Sequence, residues 1–405
     1  MITIIMADDP SFGWGNRGDR ALEQQFANDI HDADIENSFN ASSYRADGVG
    51  LALSGGGYKA AAYHLGALIR LNELGYLPKI QRISSVSGGS IAAGYLGLKW
   101  KRLVFDAAGT ATNFQTEVVA PLHEFLTNVN LDLPEGVLGL LLPFRSGADG
   151  VAAAYAEHLY GHATLQDLPK AGAGPEFVIV ATNYELNSLW RFSQARAADY
   201  HVGEIIAPTF PLARIVAASS AFPPFFCPLK LDFAGQVVQP TKQADHHSGR
   251  FLTQALLCDG GIYDNMGLEP IWKDFGTLLV SNAGDFIKED GMPVEWFGLL
   301  LRVVGMIHRQ AENDRQRALM ALAAAKLRKV AYWPLRNANV HYPKLSPVIP
   351  APAVIAAAQR EPVRLWSLGN KAFAGLADHG YSLCDSAARS YLGLVDPVPT
   401  PKLPF

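Results

Sequence analysis

The stretch GVGLALSGGGYKAAAYHLGALIRLNELG, residues 48–75, changes character twice. Val49, Leu51, Ala52 and Leu53 form a short apolar run suited to a buried strand, and Ser54-Gly55-Gly56-Gly57 breaks it. From Lys59 to Leu74, Ala, Leu and Ile recur at helical spacing until Gly75 stops the pattern. The same rhythm follows at once: Ile80 to Val86 predicts a second strand, Ser87-Gly88-Gly89 a turn, and Ser90 opens a second apolar helix. Strand, glycine turn and helix, twice over, predict an α/β fold with a largely parallel central sheet covered by helices.

Working outward, Phe177 to Ala181 (FVIVA) and Thr277 to Ser281 (TLLVS) are short, apolar and β-branched, and predict further buried strands. A long helix is expected from Glu295 to about Lys329, just after Pro293. Its second half mixes Arg309, Glu312, Asp314, Arg315 and Arg317 with apolar positions, as in a helix packed on one face only. Beyond a proline-rich stretch from Pro343, another helix is expected around Asn370 to Leu392. The chain thus divides into a polar lead-in over 1–46, a main domain over 47–290, and a helical extension over 291–405 that packs on it.

Composition narrows the function. The 405 residues are 49% hydrophobic, enough for a sizeable core, and 34 basic against 38 acidic side chains leave a net charge of −4. Nucleic acid is therefore not expected as a main partner, since such binding needs a basic field. Cys227, Cys258 and Cys384 are too few for a disulfide framework in a chain of this size and suit a reducing compartment. The start, MITIIMADDPSFGWG, lacks a basic lead and is broken by Asp8, Asp9 and Pro10, so no secretory signal is read there. No run reaches the roughly 18 apolar residues of a membrane span. A cytoplasmic protein is expected, attached at most peripherally to a membrane surface.

Three segments carry chemistry. Gly55-Gly56-Gly57-Tyr58-Lys59 is a glycine turn entering a helix, where backbone N–H groups can approach a phosphate or an oxyanion. Such turns also serve for tight packing alone. Ser85-Val86-Ser87-Gly88-Gly89 sets a serine on a strand-to-helix turn with a small neighbour two residues to either side, as a nucleophile elbow requires. A serine there is equally suited to cap the helix. Asp259-Gly260-Gly261 follows the apolar run Ala255 to Cys258, where the aspartate either shapes a turn or presents a carboxylate to a neighbouring hydroxyl.

Together and in this order, the three segments resemble the patatin-like phospholipase family, marked by a glycine-rich oxyanion motif with a basic residue, a Gly-x-Ser-x-Gly elbow and a late Asp-Gly-Gly. The resemblance runs over roughly Gly48 to Asp285 and takes in Ala181-Thr182-Asn183, ASSAFPPFFCP at 218–228 and DGGIYDNMG at 259–267. This chain has Ser85 for the first elbow glycine and Ala60 after Lys59, both small. The resemblance implies a three-layer α/β/α sandwich that hydrolyses lipid acyl esters of phospholipid or lysophospholipid through a Ser–Asp dyad. Ser87 is then the nucleophile, Asp259 the base, and the amides of Gly55, Gly56 and Gly57 the oxyanion hole, with Lys59, Gly88 and Gly260 binding substrate or shaping the site. No metal or other cofactor is implied. The alternative is a catalytically silent lipid-binding or scaffold protein, or a phospholipase effector activated by a partner.

The remaining candidates have plainer readings. His64 reads as a packing residue of the first helix. Asp245-His246-His247 reads as a solvated loop, because no second ligand cluster has matching spacing. Asp264 and Asn265 read as turn residues of the site loop. VLGLLLPF at 137–144 and FPPFFCP at 222–228 are apolar but too short to span a bilayer, and suggest transient docking on a membrane surface.

Overall fold

Alternation along the strand at residues 45–53 sets the layering. In the computed structural model, which describes residues 45–131, 147–223, 226–284, 296–394 and 398–405, Arg45–Leu53 is strand β1. Its Val49, Leu51 and Leu53 face one apolar cluster while Ala52 faces another. Side chains of period two pointing into two separate cores require cover on both faces of the sheet.

The other strands are β2 (Arg82–Ser85), β3 (Glu176–Asn183), β4 (Ser188–Phe192), β5 (Arg196–Asp199), β6 (Gly203–Ile206), β7 (Leu229–Asp232), β8 (Gln254–Asp259), β9 (Phe275–Asn282) and β10 (Lys329–Pro334). The helices are α1 (Gly57–Glu73), α2 (Gly88–Lys99), α3 (Ala120–Asn128), α4 (Gly147–Tyr155), α5 (Leu212–Ser219), α6 (Gly261–Asp264), α7 (Trp296–Ala324), α8 (Pro352–Arg360) and α9 (Asn370–Tyr391). Strand order is β10-β9-β1-β2-β3-β4-β5-β6, with β8 paired to β3 and to β7. The α/β sandwich expected from the sequence is present, and its sheet is mixed: pairs from β10 to β3 are parallel, whereas β4 to β8 join in antiparallel fashion. Parallel pairing goes with the strand–helix units the sequence announces, while the antiparallel part comes from short strands that no such unit marks.

Two of the expectations differ from the structure. The helix read through Lys329 stops at Ala324, Lys326 turns with φ 56°, and the chain from Lys329 becomes edge strand β10 beside β9. Cys227 and Cys258 are joined in a disulfide, with Cα atoms 5.1 Å apart, against the expectation of reduced thiols. The antiparallel register that sets Leu229 opposite Leu257 brings them together across 31 residues, a pairing no local spacing reveals. The lead-in up to Tyr44 and the apolar segment 137–144 lie outside the described residues, as does part of 222–228. Among the described residues no helix is long and apolar enough to cross a membrane.

The last helix is tied to the first by a buried polar joint. Arg70 of α1 donates from Nε to Asp385 of α9 at 2.8 Å, with both side chains wholly buried, and Arg389 donates to the other carboxylate oxygen at 2.8 Å. Tyr63 Oη donates to the Trp333 carbonyl at 3.1 Å, fixing α1 to β10 as well. Removing one member of a buried ion pair leaves the other charged and unpaired. Asp385→Ala should therefore lower unfolding free energy by about 3–5 kcal/mol, measured by urea denaturation. A loss below about 1 kcal/mol would show that the joint does not hold the C-terminal helix in place.

Candidate active site

Strand β3 brings the serine and the aspartate together. Its first half pairs with β2, Ser85 opposite Ile179, and its last residues pair with β8 on the same edge, Asp259 opposite Ala181. Strand β4 occupies the other edge over 179–183. Thus β2 and β8 run toward each other along one edge of β3, and their ends meet across two residues, roughly 7 Å of strand. Ser87 lies just past the end of β2, and Asp259 is the last residue of β8.

Ser87 stands at the N-terminus of α2 with φ 49° and ψ −119°, a conformation that costs a non-glycine residue strain. A capping serine would keep extended backbone and accept a helix N–H; Ser87 does neither, and its side chain makes no capping bond. Its hydroxyl instead lies near enough to the Asp259 carboxyl to favour that group's charged form. Its amide donates to Ser219 Oγ at 2.9 Å, and Ser219 meets Ser90 Oγ at 3.0 Å. A buried serine pair therefore holds the elbow from beneath.

Asp259 is almost wholly buried. Burial raises its carboxyl to about 7, with the Gly261 N–H and the Ser87 hydroxyl pulling the other way. The Gly261 bond is 2.7 Å. The Asp259 and Gly260 amides donate to the carbonyls of Ala221 and Ser219 at 2.8 and 3.2 Å, so the 219–221 segment braces both the aspartate and the Ser87 amide. Gly260 packs against the Val180 carbonyl, where a Cβ would come within 2.5 Å.

The glycine turn lies against this pair. A Cβ on Gly55 would stand 3.3 Å from the Ser87 Cβ, and one on Gly88 only 2.0 Å from the Gly57 carbonyl, so the two turns are in backbone contact. Gly56 has φ 136°, which a residue with a Cβ rarely adopts. The three amides are not equivalent. The Gly55 N–H donates to the Asn265 carbonyl at 3.0 Å, whereas those of Gly56, Gly57 and Gly88 have no acceptor among the described residues. Gly55 is therefore spoken for, and the donors left near Ser87 are Gly56, Gly57 and Gly88.

Lys59 is buried on the first turn of α1, too enclosed to act as a surface charge. His64 does not meet Ser87. Its Nε2 donates to the Ser54 carbonyl at 2.9 Å, which leaves Nδ1 to accept from Ser281 Oγ at 2.7 Å. Burial lowers its pKa to about 4 and so keeps the ring neutral. Asp264 accepts the Glu269 amide at 2.8 Å and faces Arg315 Nε at 3.4 Å, supporting the loop that carries Asn265. Ser219 and the Asn265 carbonyl are the contributors that residue-by-residue reading did not assign. Both lie in stretches the motif comparison had marked, ASSAFPP and DGGIYDN.

The family model described as patatin-like phospholipase matches residues 51–272, more than half of the chain and inclusive of every residue above except Ser281 and Arg315. No curated protein sequence matches the chain significantly. Among solved structures, human GIVD cytosolic phospholipase A2 aligns over 93% of this chain and 66% of its own at 12% identity, TM-score 0.49. The same human enzyme with methyl gamma-linolenyl fluorophosphonate and terbium chloride aligns over 91% and 62% at 15% identity, TM-score 0.50. VipD from Legionella pneumophila aligns over 85% and 68% at 15% identity, TM-score 0.34. This chain thus spans just under two thirds of the human protein, and the likeness concerns the fold. With the strand–glycine–helix pairs and the Ser87 and Asp259 segments inside the matched region, the chain belongs to the patatin-like phospholipase family.

Proposed function

We propose that this chain is a serine acyl hydrolase that cleaves lipid acyl esters of phospholipid or lysophospholipid through a Ser87–Asp259 dyad. The observation that carries the reading is a strained elbow serine whose hydroxyl acts on a buried carboxyl raised by that burial to about 7. An ordinary aspartate is too weak a base toward a hydroxyl; one raised to about 7 is matched to proton transfer near neutral pH. A scaffold that merely kept the fold has no use for that arrangement.

In this mechanism Ser87 Oγ attacks the ester carbonyl carbon as its proton passes to Asp259. The carbonyl oxygen takes up negative charge and is held by the Gly56 and Gly57 N–H groups at the positive end of α1. Collapse breaks the ester C–O bond, and Asp259 returns the proton to the departing alcohol. Water then attacks the acyl-serine, giving its proton to Asp259, and Ser87 is regenerated as the fatty acid leaves. Gly55, its amide donated to the Asn265 carbonyl, sets the loop's position and gives no hydrogen bond to the oxyanion. Lipid as substrate agrees with α7, which carries exposed Leu299, Val303, Met306 and Ile307 and whose Arg315 Nε faces Asp264 at 3.4 Å on the loop after Asp259.

Incubating the protein with a total lipid extract and identifying released fatty acid by mass spectrometry tests the reading. Ser87→Ala should abolish release while leaving the fold intact; release near the wild-type rate would sink the assignment. Asp259→Asn should lose most of the activity, whereas His246→Gln and His247→Gln keep theirs. For wild type, kcat/KM should climb as pH rises through about 7, since the base must be unprotonated.

The same raised pKa has a consequence for stability. The folded state holds a proton on Asp259 that the unfolded chain has already lost, so this stabilisation is complete below the unfolded value and fades as pH rises through about 7. Asp259→Asn should thus match wild type in urea unfolding at about pH 4 and exceed it at about pH 8, by up to ~4 kcal/mol. A mutant less stable than wild type at the higher pH would contradict a buried, proton-hungry carboxyl.

Gly56→Ala puts a Cβ at φ 136° and 3.0 Å from the Ala283 carbonyl. The distorted amide should cost about 100-fold or more in kcat with a smaller change in KM. An effect confined to KM would mean that the loop binds substrate and does not serve the transition state.

A further inference from the structure

Away from the dyad, the structure assembles a second group from two segments that the sequence leaves far apart. His201 follows strand β5, and Asp245 and His246 lie in the loop between β7 and β8. His201 Nδ1 meets Asp245 Oδ1 at 2.7 Å, and His246 Nδ1 meets the same oxygen at 2.8 Å. One ligand atom from each residue lies within 4.8 Å of the other two. The sequence offered only the Asp-His-His run, without a partner; His201 is what it lacked.

We propose that His201, Asp245 and His246 bind a divalent transition-metal ion of the zinc class, which clips the β7–β8 loop to the β5–β6 turn. Two imidazoles and a carboxylate are a donor set for Zn²⁺ and its neighbours; Ca²⁺ and Mg²⁺ prefer oxygen throughout. A carboxylate has two oxygens, yet both rings address the same one through Nδ1. The three ligand atoms are thus gathered in one small space, as a coordinated ion requires. Opening the N···O separations by about half an ångström accommodates ordinary Zn–N and Zn–O bonds near 2.0–2.2 Å. The side chains of His246 and Asp245 are 46% and 59% exposed, leaving an open side for water as a fourth ligand.

Both segments are already held in place for this. Asp199 is buried, accepts the amides of His201 and Val202 at 2.8 and 3.1 Å, and is itself held by Ser188 Oγ and Asn183 Nδ2. The turn that carries His201 is therefore rigid. On the other side the His246 amide donates to the His201 carbonyl at 2.9 Å, and His247 Nδ1 donates to the Val202 carbonyl at 2.8 Å. The loop is strapped to the turn by backbone bonds before any ion arrives, and His247 is turned away from the ligand group. Strands β5 and β6 lie at the far edge from β10, with β3 and β4 between them and β2, so the site is independent of ester hydrolysis.

The test uses the full chain without a histidine tag, stripped with chelator and desalted, and titrated with zinc chloride by calorimetry. One ion per chain should bind with a dissociation constant on the order of micromolar. His201→Ala, His246→Ala and Asp245→Asn should each weaken binding about tenfold or more, while His162→Ala, at an exposed histidine elsewhere, leaves it unchanged. Zinc should raise the unfolding temperature of wild type and not that of His201→Ala, with circular dichroism confirming that each variant is folded. The proposal is overturned if no saturable binding occurs, if the ligand variants bind as wild type does, if His162→Ala weakens binding equally, or if magnesium binds as tightly as zinc.

Discussion

Strand β3 offers one edge to two strands that approach each other head-on, β2 in parallel and β8 in antiparallel pairing. Backbone hydrogen bonds fix both registers, and a slip of one residue in either would turn its terminal side chain to the other face of the sheet. Everything at the site follows from that alignment. It carries Ser87 and Asp259 from segments 172 residues apart to one place, where the hydroxyl acts on the carboxyl without any histidine between them. It also encloses the carboxyl in the sheet, and that burial is the cause of its raised pKa.

The glycine turn is coupled to this alignment through one carbonyl. Ser54 O accepts the Gly89 amide at 3.1 Å and His64 Nε2 at 2.9 Å, and Ser54 Oγ accepts the Ala283 amide at 2.8 Å. The end of β1, the elbow, α1 and the end of β9 thus meet at a single residue. A neutral histidine is well suited to such a post, because one ring nitrogen donates while the other accepts. His64 therefore works on the backbone that positions the turn.

The parts of the structure written in local pattern were legible in the sequence. Residues 48–97 announce β1, α1, β2 and α2 because apolar runs, glycine breaks and helical periodicity are all short-range features. FVIVA and TLLVS announce β3 and β9 in the same way, and the motif order points to Ser87 and Asp259. What escaped is long-range. Edge strand β10 carries no local signal of its own, since Lys329–Pro334 is short and follows directly on the helical pattern read to about Lys329. The Cys227–Cys258 bond, the capture of the Gly55 amide by Asn265 and the meeting of His201 with Asp245 all depend on which loops the sheet brings together.

The central claim is that Ser87 is made nucleophilic by a carboxyl that titrates near neutrality. The most direct measurement is the pH dependence of inactivation by an alkyl fluorophosphonate, with the modified peptide mapped by mass spectrometry. The account predicts a single adduct on Ser87, formed at a rate that rises with a midpoint at about 7 in wild type and stays low throughout in Asp259→Asn. An adduct on another residue, or a rate on Ser87 that is the same with and without the Asp259 carboxyl, would contradict it.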